Sequence, residues 1–198
     1  MSDHRPDLNR GDCLKPTDPS LLNRPLDFIQ EEHLREREIC ALLKRIANTL
    51  GPHANNARNV VVFLRDELPL HLQDEEEDLL PLLKRRCEPQ DEIDKVIQRL
   101  LEDHHHAHGD TLAVITILEG VAEGTATLCD DERACLRSFS IQVHRHLILE
   151  NAIILPLARL RLTESDLQSL RLRMLQRRGF DSVLFPNKTR DSVLKISD

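Results

Sequence analysis

His71 and Glu75 stand four positions apart in "HLQDEEEDLLPL", and His146 and Glu150 repeat that spacing in "HLILENAIILPL". Four residues is about one helical turn, so each pair shares a helix face. The two stretches also share a frame: His-Leu at the start, Glu at the fifth place, Leu-Pro-Leu at the end. A surface charge run has no reason to repeat its histidine, glutamate and proline in register. The second copy is nearly all apolar, so Glu150 faces burial, which costs roughly several kcal/mol unless it is compensated. A pair of metal cations provides that compensation, because carboxylates can bridge two metals while imidazoles cap each one. Single histidines upstream of each pair, His33 and one of "HHHAH", complete a set of four His and two Glu. Such a set suits iron better than manganese or zinc, and it lacks the thiolates of a structural zinc site.

The elements that must hold these residues read as helices. Leu26, Ile29, His33, Glu36, Cys40 and Leu43 step by three and four from Pro25, and "TLGPHANN" ends that run. A second helix begins near Asn56 and carries Val60, Leu64, His71, Glu75, Leu79 and Leu82. Pro69 and Pro81 fall inside it and are expected to bend or divide it. A third runs from about Gln90 to Val121, a fourth from about Glu132 to Arg161. Thr163 and Asp166 form a Thr-x-x-Asp start for a fifth, "LQSLRLRMLQRR", closed by Gly179. Strand-type alternation is almost absent. The fold class expected is therefore all-α, an up-down four-helix bundle of two similar hairpins plus a short C-terminal helix. The expected organisation is a flexible lead over 1–23, the bundle over 24–161, the extra helix over 162–180 and a tail over 181–198.

In "HHHAH", His105 keeps a heptad-like face with Leu101, Leu112 and Ile115, so it is the first choice of ligand. His104 follows an acidic residue, as His33 does, and is the second. His108, one turn on, is a candidate fifth imidazole or an outer partner of the ligands. The metal set expected is His33, His71, Glu75, His105, His146 and Glu150. Taken alone, "DEEED" would read as a solvated face, with Glu76 and Glu77 turned away from His71.

Composition sets the surroundings. Aromatic residues make up 3% of the chain, with no Trp or Tyr, so Leu and Ile must fill the core. A formal net charge of −7 gives no reason to expect nucleic acid or an anionic membrane surface. No apolar run is long enough to span a bilayer, and the polar N-terminus does not read as a secretory signal. The five cysteines are scattered without a CxxC pair, which fits a reducing cytoplasm.

With "EEH", "HLQDE", "HHHAHG" and "HLILE" in place, roughly residues 24 to 160 resemble a hemerythrin-like, HHE cation-binding domain. The resemblance implies a centre of two iron ions, with an oxo or hydroxo group able to bridge them. Oxygen, peroxide, nitric oxide or the iron level would be its ligand or signal. Members similar to iron-centre repair proteins show His-x-x-His-Gly, which maps onto His105, His108 and Gly109. The last motif, HxxxE, differs from the HxxxxD of the oxygen carriers. Three functions follow: a di-iron protein that binds or senses a small diatomic or redox species or handles iron; a di-iron oxidase, peroxidase or repair factor; and a metal-free helical interaction module, whose basic stretch from Leu170 to Arg178 reads first as a solvated, charge-rich closing helix and second as one that could dock on an acidic partner or on the chain's own acidic face.

Overall fold

A computed structural model of the chain describes residues 15–51, 53–124 and 127–180. The expected tail and the first part of the expected lead lie outside them. Four long helices form the bundle: α1 (Pro25–Asn48), α2 (residues 54–86), α3 (Ile93–Ala122) and α4 (residues 130–161). A shorter α5 (Glu164–Arg177) follows. Each bundle helix packs on two neighbours, α1 on α2 and α4, α3 on α2 and α4, which is the closed ring of an up-down bundle.

Neither α2 nor α4 is a regular α-helix throughout. In α2, π-helical turns at Phe63–Glu67 and Asp74–Leu79 separate the α-helical stretches Ala54–Val62, Leu68–Gln73 and Leu80–Arg86. In α4 the π turn is Glu150–Ile154, between Asp130–Leu149 and Leu155–Arg161. Proline explains all three. A proline lacks the N–H of the regular ladder, and its ring crowds the carbonyl four residues back. Immediately before Pro69, Pro81 and Pro156, the N–H of Leu68, Leu80 and Leu155 reaches back five residues, to the carbonyls of Phe63, Glu75 and Glu150. The turn widens rather than breaks. The repeated Leu-Pro-Leu thus places a π turn at each motif glutamate.

Two apolar clusters fill the bundle, one at each end. Ile39, Leu43, Val60, Leu118 and Phe139 belong to the first; Ile29, Leu79, Leu83, Leu100 and Ile154 belong to the second. Burying each such side chain fully is worth about 1.5–3 kcal/mol. On all four helices the polar ligand candidates fall between the two clusters, so the core is split by one polar layer.

The expected flexible lead reaches less far than residue 23. Pro19–Asn23 form a 3-10 turn capped by Asp18, whose Oδ1 accepts from the Ser20 N–H at 2.9 Å. Leu22 from this turn is fully buried in the second cluster, which holds the segment down. At the other end, α5 begins with the expected capping box: Asp166 Oδ2 accepts from the Thr163 N–H at 2.9 Å, and Thr163 Oγ1 accepts from the Asp166 N–H at 3.3 Å. It ends at Gly179, whose φ of 71° lets Phe180 N–H close on Leu175 O at 2.9 Å.

Candidate metal centre

The polar layer gathers His33 from α1, His71 and Glu75 from α2, His104 from α3, and His146 and Glu150 from α4. Two groups of donors form, each with its ligand atoms within 4.8 Å of one another: His33, His71, Glu75 and Glu150, and Glu75, His104, His146 and Glu150. Both glutamates belong to both groups, as bridging carboxylates would. His33 Nε2 lies 3.3 Å from Glu75 Oε1 and 3.3 Å from Glu150 Oε2. His146 Nε2 lies 2.8 Å from Glu150 Oε1 and 3.0 Å from His104 Nε2.

Of the expected set, five residues meet in this layer and His105 does not. His105 is exposed and lines a surface groove with Lys84 and Leu101, while His104 is 2% exposed and takes the inward place. The heptad-like face was off by one residue. The buried side of α3 is Ile97, Leu100, His104, Val114, Ile115 and Leu118, whereas Leu101 and Leu112 are 41% and 71% exposed. Exposed leucines are common on folded proteins, so two of them made a convincing false stripe. His108 is exposed too and reaches none of the ligands.

Three acidic residues not among the expected ligands join the site. Glu76 does not turn away: it lies 2.8 Å from His104 Nδ1, where it fixes the ring's tautomer and leaves Nε2 facing the layer. Glu36 is 3% exposed, with Oε1 3.0 Å from His71 Nε2. Glu32 stands 3.9 Å from His71 Nδ1. Glu36 already shared the face of His33 in the α1 pattern, so its signal was present; that of Glu76 depends on how the π turn swings the acidic run.

The rest of that acidic run is buried as well. Asp74 and Asp78 are 0% and 2% exposed, and α5 supplies their partners. Arg177 pairs with Asp74 and, at 2.8 Å, with Asp78; Arg178 reaches Asp74 at 2.6 Å and Arg173 reaches Asp78 at 2.6 Å. The basic closing helix therefore docks on the chain's own acidic face. Burial still pushes the Asp74 carboxyl up to about 6 against the pull of Arg178 and Arg177.

The electrostatics of the layer suit positive charge. Burial weakens the hold of His33 on a proton, but the carboxylates of Glu150 and Glu75 outweigh it and raise its pKa to about 9. His104 shows the same balance, burial against Glu150 and Glu75, and also rises to about 9. Burial and the charge of Glu150 push Glu75 up. Burial also drives Glu36 well above the usual carboxylate range, although His33 pulls the other way. Glu150, in spite of burial, is held well below that range by His146 and His33. His71, buried and beside His33, is held well below the usual imidazole value.

Within the layer one oxygen each of Glu75 and Glu150 lacks a hydrogen-bond partner, as does one of Glu36 beside His71. Buried polar atoms without partners are rare and costly. Donors bound to one cation at about 2.1 Å stand about 3 Å apart, close to the spacing seen. The residues present thus fit a pair of metal ions in the layer.

A cavity of about 170 Å³ opens beside it. Leu68, Leu72 and Phe139 wall it, Glu36, His104 and His146 line it from the layer, and the exposed Arg145 and the Arg99–Asp103 ion pair complete the lining. Among the described residues no helix is long and apolar enough to cross a membrane. No curated protein sequence matches the chain. The family model of the hemerythrin HHE cation-binding domain does match, over residues 24–158. That span takes in the four bundle helices but for the last three residues of α4, and all the residues of the layer, and the chain belongs to the hemerythrin HHE cation-binding domain family.

Proposed function

We propose that this protein holds two iron ions in the polar layer and uses them to bind or sense a small diatomic or redox species, oxygen, peroxide or nitric oxide, or to handle iron itself. The observation that carries the reading is the sharing of Glu75 and Glu150 by two complete donor groups. Imidazole and carboxylate donors suit iron, and the layer lacks the thiolates of a structural zinc site. A reducing compartment such as the cytoplasm suits it, and Cys40, Cys87, Cys129 and Cys135 are free thiols.

His33 and His71 would hold one ion, His104 and His146 the other, with Glu75 and Glu150 reaching both. When bound, the iron pair supplies open coordination positions and reversible redox chemistry. The protein's own part is positional. Glu76 fixes the His104 ring, the apolar clusters above and below exclude water, and the cavity admits only a small ligand. An enzymatic use of the same centre is favoured by one observation, the passage from surface to layer, since a substrate must come and go.

The test is elemental analysis with optical spectroscopy of protein reconstituted anaerobically with ferrous iron. Two iron ions per chain, with near-ultraviolet absorption after oxidation that azide perturbs, is the expected result. Protein that takes up no metal refutes the reading. Rapid turnover of peroxide or nitric oxide by the loaded protein would mark it as an enzyme; stoichiometric binding alone would mark it as a sensor or carrier.

A further inference from the structure

Helix α5 lies outside the matched span of 24–158, yet it reaches the residues next to the candidate ligands. Arg178 closes it, with a side chain only 10% exposed. The guanidinium lies over the Phe28 ring, 4.8 Å from its centre, and Nη1 donates to Met174 O at 3.3 Å. Nη1 also pairs with Asp74 Oδ2 at 2.6 Å, and Nη2 stands 3.9 Å from Glu32 Oε2. Those two carboxylates come from different helices, and each immediately precedes a candidate ligand: Glu32 before His33 on α1, Asp74 before Glu75 on α2. A buried charge is costly unless it is paired, so the guanidinium and the two carboxylates hold one another in place. Glu32 has a second contact. The same Oε2 lies 3.9 Å from His71 Nδ1, which has no hydrogen-bond partner. With a cation on His71 Nε2 the ring proton sits on Nδ1, and the acceptor of that proton orients the ligand. Glu32 is the carboxylate in reach, and an approach of about 1 Å brings it to hydrogen-bond distance.

We propose that Arg178 is a positioning residue of the metal centre: it holds Glu32 behind His71 and Asp74 at the start of the π turn that carries Glu75, so that metal binding and docking of α5 favour each other. A helix beyond the family span thereby becomes part of the site. The coupling is reciprocal: the factor that docked α5 adds to metal affinity is the factor that metal adds to the docking of α5. In a sensor, α5 is then the element whose docking reports the state of the layer. Arg173 and Arg177 act differently, because their ion pairs are with Asp74, Glu77 and Asp78, all on α2. Arg178 alone of the three ties α2 to α1. This inference rests on the two-metal reading, and iron content separates the failure of one from the failure of the other.

The experiment uses the full chain, metal-free and reconstituted with ferrous iron. Competition with a chelator gives iron affinity, and hydrogen exchange of the α5 amides gives the docking of that helix. Arg178→Gln should lower iron affinity by about tenfold and shift the near-ultraviolet spectrum of the oxidised centre. Arg173→Ala, which removes an ion pair on α2 alone, should leave affinity and spectrum as in wild type. Iron should slow exchange in α5 by about tenfold in wild type and much less in Arg178→Gln. The inference is overturned if Arg178→Gln binds iron as wild type does with an unchanged spectrum, or if Arg173→Ala weakens iron binding equally. It is also overturned if iron slows exchange in α5 as much in Arg178→Gln as in wild type. Should Arg178→Gln fail to fold, Glu32→Gln takes its place, since it keeps the pair of Arg178 with Asp74; the same loss of affinity is expected, and wild-type affinity overturns the inference. Wild-type protein without iron would instead defeat the two-metal reading.

Discussion

The hairpin of α1 and α2 and the hairpin of α3 and α4 carry the same frame, yet they sit in different surroundings. In both, a histidine on the first helix meets an HxxxE pair on the second, and a proline six residues after the glutamate widens the turn that carries it. Around Glu75 the helix is acidic on its outer side, and Asp74 and Asp78 are neutralised by α5. Around Glu150 it is apolar, with Leu147 and Ile154 buried on either side. The shared frame fixes where the bridging carboxylates go. The differences decide what each half adds: Glu36 and Glu32 stand beside His71 on the first side, while Arg99 and Arg145 of the second side line the cavity that Glu36 shares with His104 and His146. Glu76 even crosses from the first hairpin to hold His104 of the second. A repeated motif thus need not give a symmetric site, because the frame positions ligands while the intervening residues tune them.

The largest effect tests what the halves share. Glu75→Ala or Glu150→Ala should abolish both metal positions, since each carboxylate belongs to both donor groups. His33→Ala and His104→Ala should each weaken mainly one. Iron content of the purified variants checks this; equal loss from all four would show that the halves do not load separately. Next comes the register of α3. Leu100→Ala should destabilise the fold by about 2–5 kcal/mol, and Leu101→Ala by about 0.5 kcal/mol, measured by urea unfolding of the metal-free protein. The reverse order would restore His105 to the layer.

A smaller effect is expected outside the ligand set. Glu76→Ala should lower metal affinity by about 10–100-fold, while Glu77→Ala, whose carboxylate is largely exposed beside Arg177, should leave it unchanged. Competition with a chelator separates the two. The smallest is a pH effect on the metal-free protein. His33 and His104 have folded pKa values raised to about 9, so the native state binds their protons more tightly than the unfolded chain does. Their contribution is fully present below the ordinary imidazole value of about 6.5 and is lost as pH rises through about 9. Tm of the metal-free form should therefore fall across that window. The metal-loaded form should not follow, because its imidazoles have already given up those protons.

Much of this was legible in the sequence. Helix α1 starts at Pro25 as the pattern required, the capping box at Thr163 is present, and His71, Glu75, His146 and Glu150 meet because HxxxE on a helix leaves little freedom. The register of α3 was not legible, because Leu100 and Leu101 are adjacent and each continues a plausible stripe. Period alone cannot choose between faces when both carry leucine; burial chooses, and burial depends on the partner helices. The proline-driven bends were expected, but their form as π turns was not, and those turns decide which residues of "DEEED" point inward. Asp74, Glu75 and Asp78 are buried, Glu76 is half-buried and Glu77 is exposed, a distribution that no charge count distinguishes.

The clasp made by α5 also has a kinetic side. Arg173, Arg177 and Arg178 lie far along the chain from Asp74 and Asp78, so these ion pairs are among the contacts of high sequence separation within the described residues. Closing so long a loop costs entropy before the contact gives anything back. During synthesis the acidic side of α2 emerges long before its arginines and must stay hydrated until they arrive. Docking of α5 is therefore expected late, after the rate-limiting step. Arg177→Ala should then speed unfolding and leave the folding rate nearly unchanged, so that α5 acts less as a guide to the fold than as the bolt that keeps it shut.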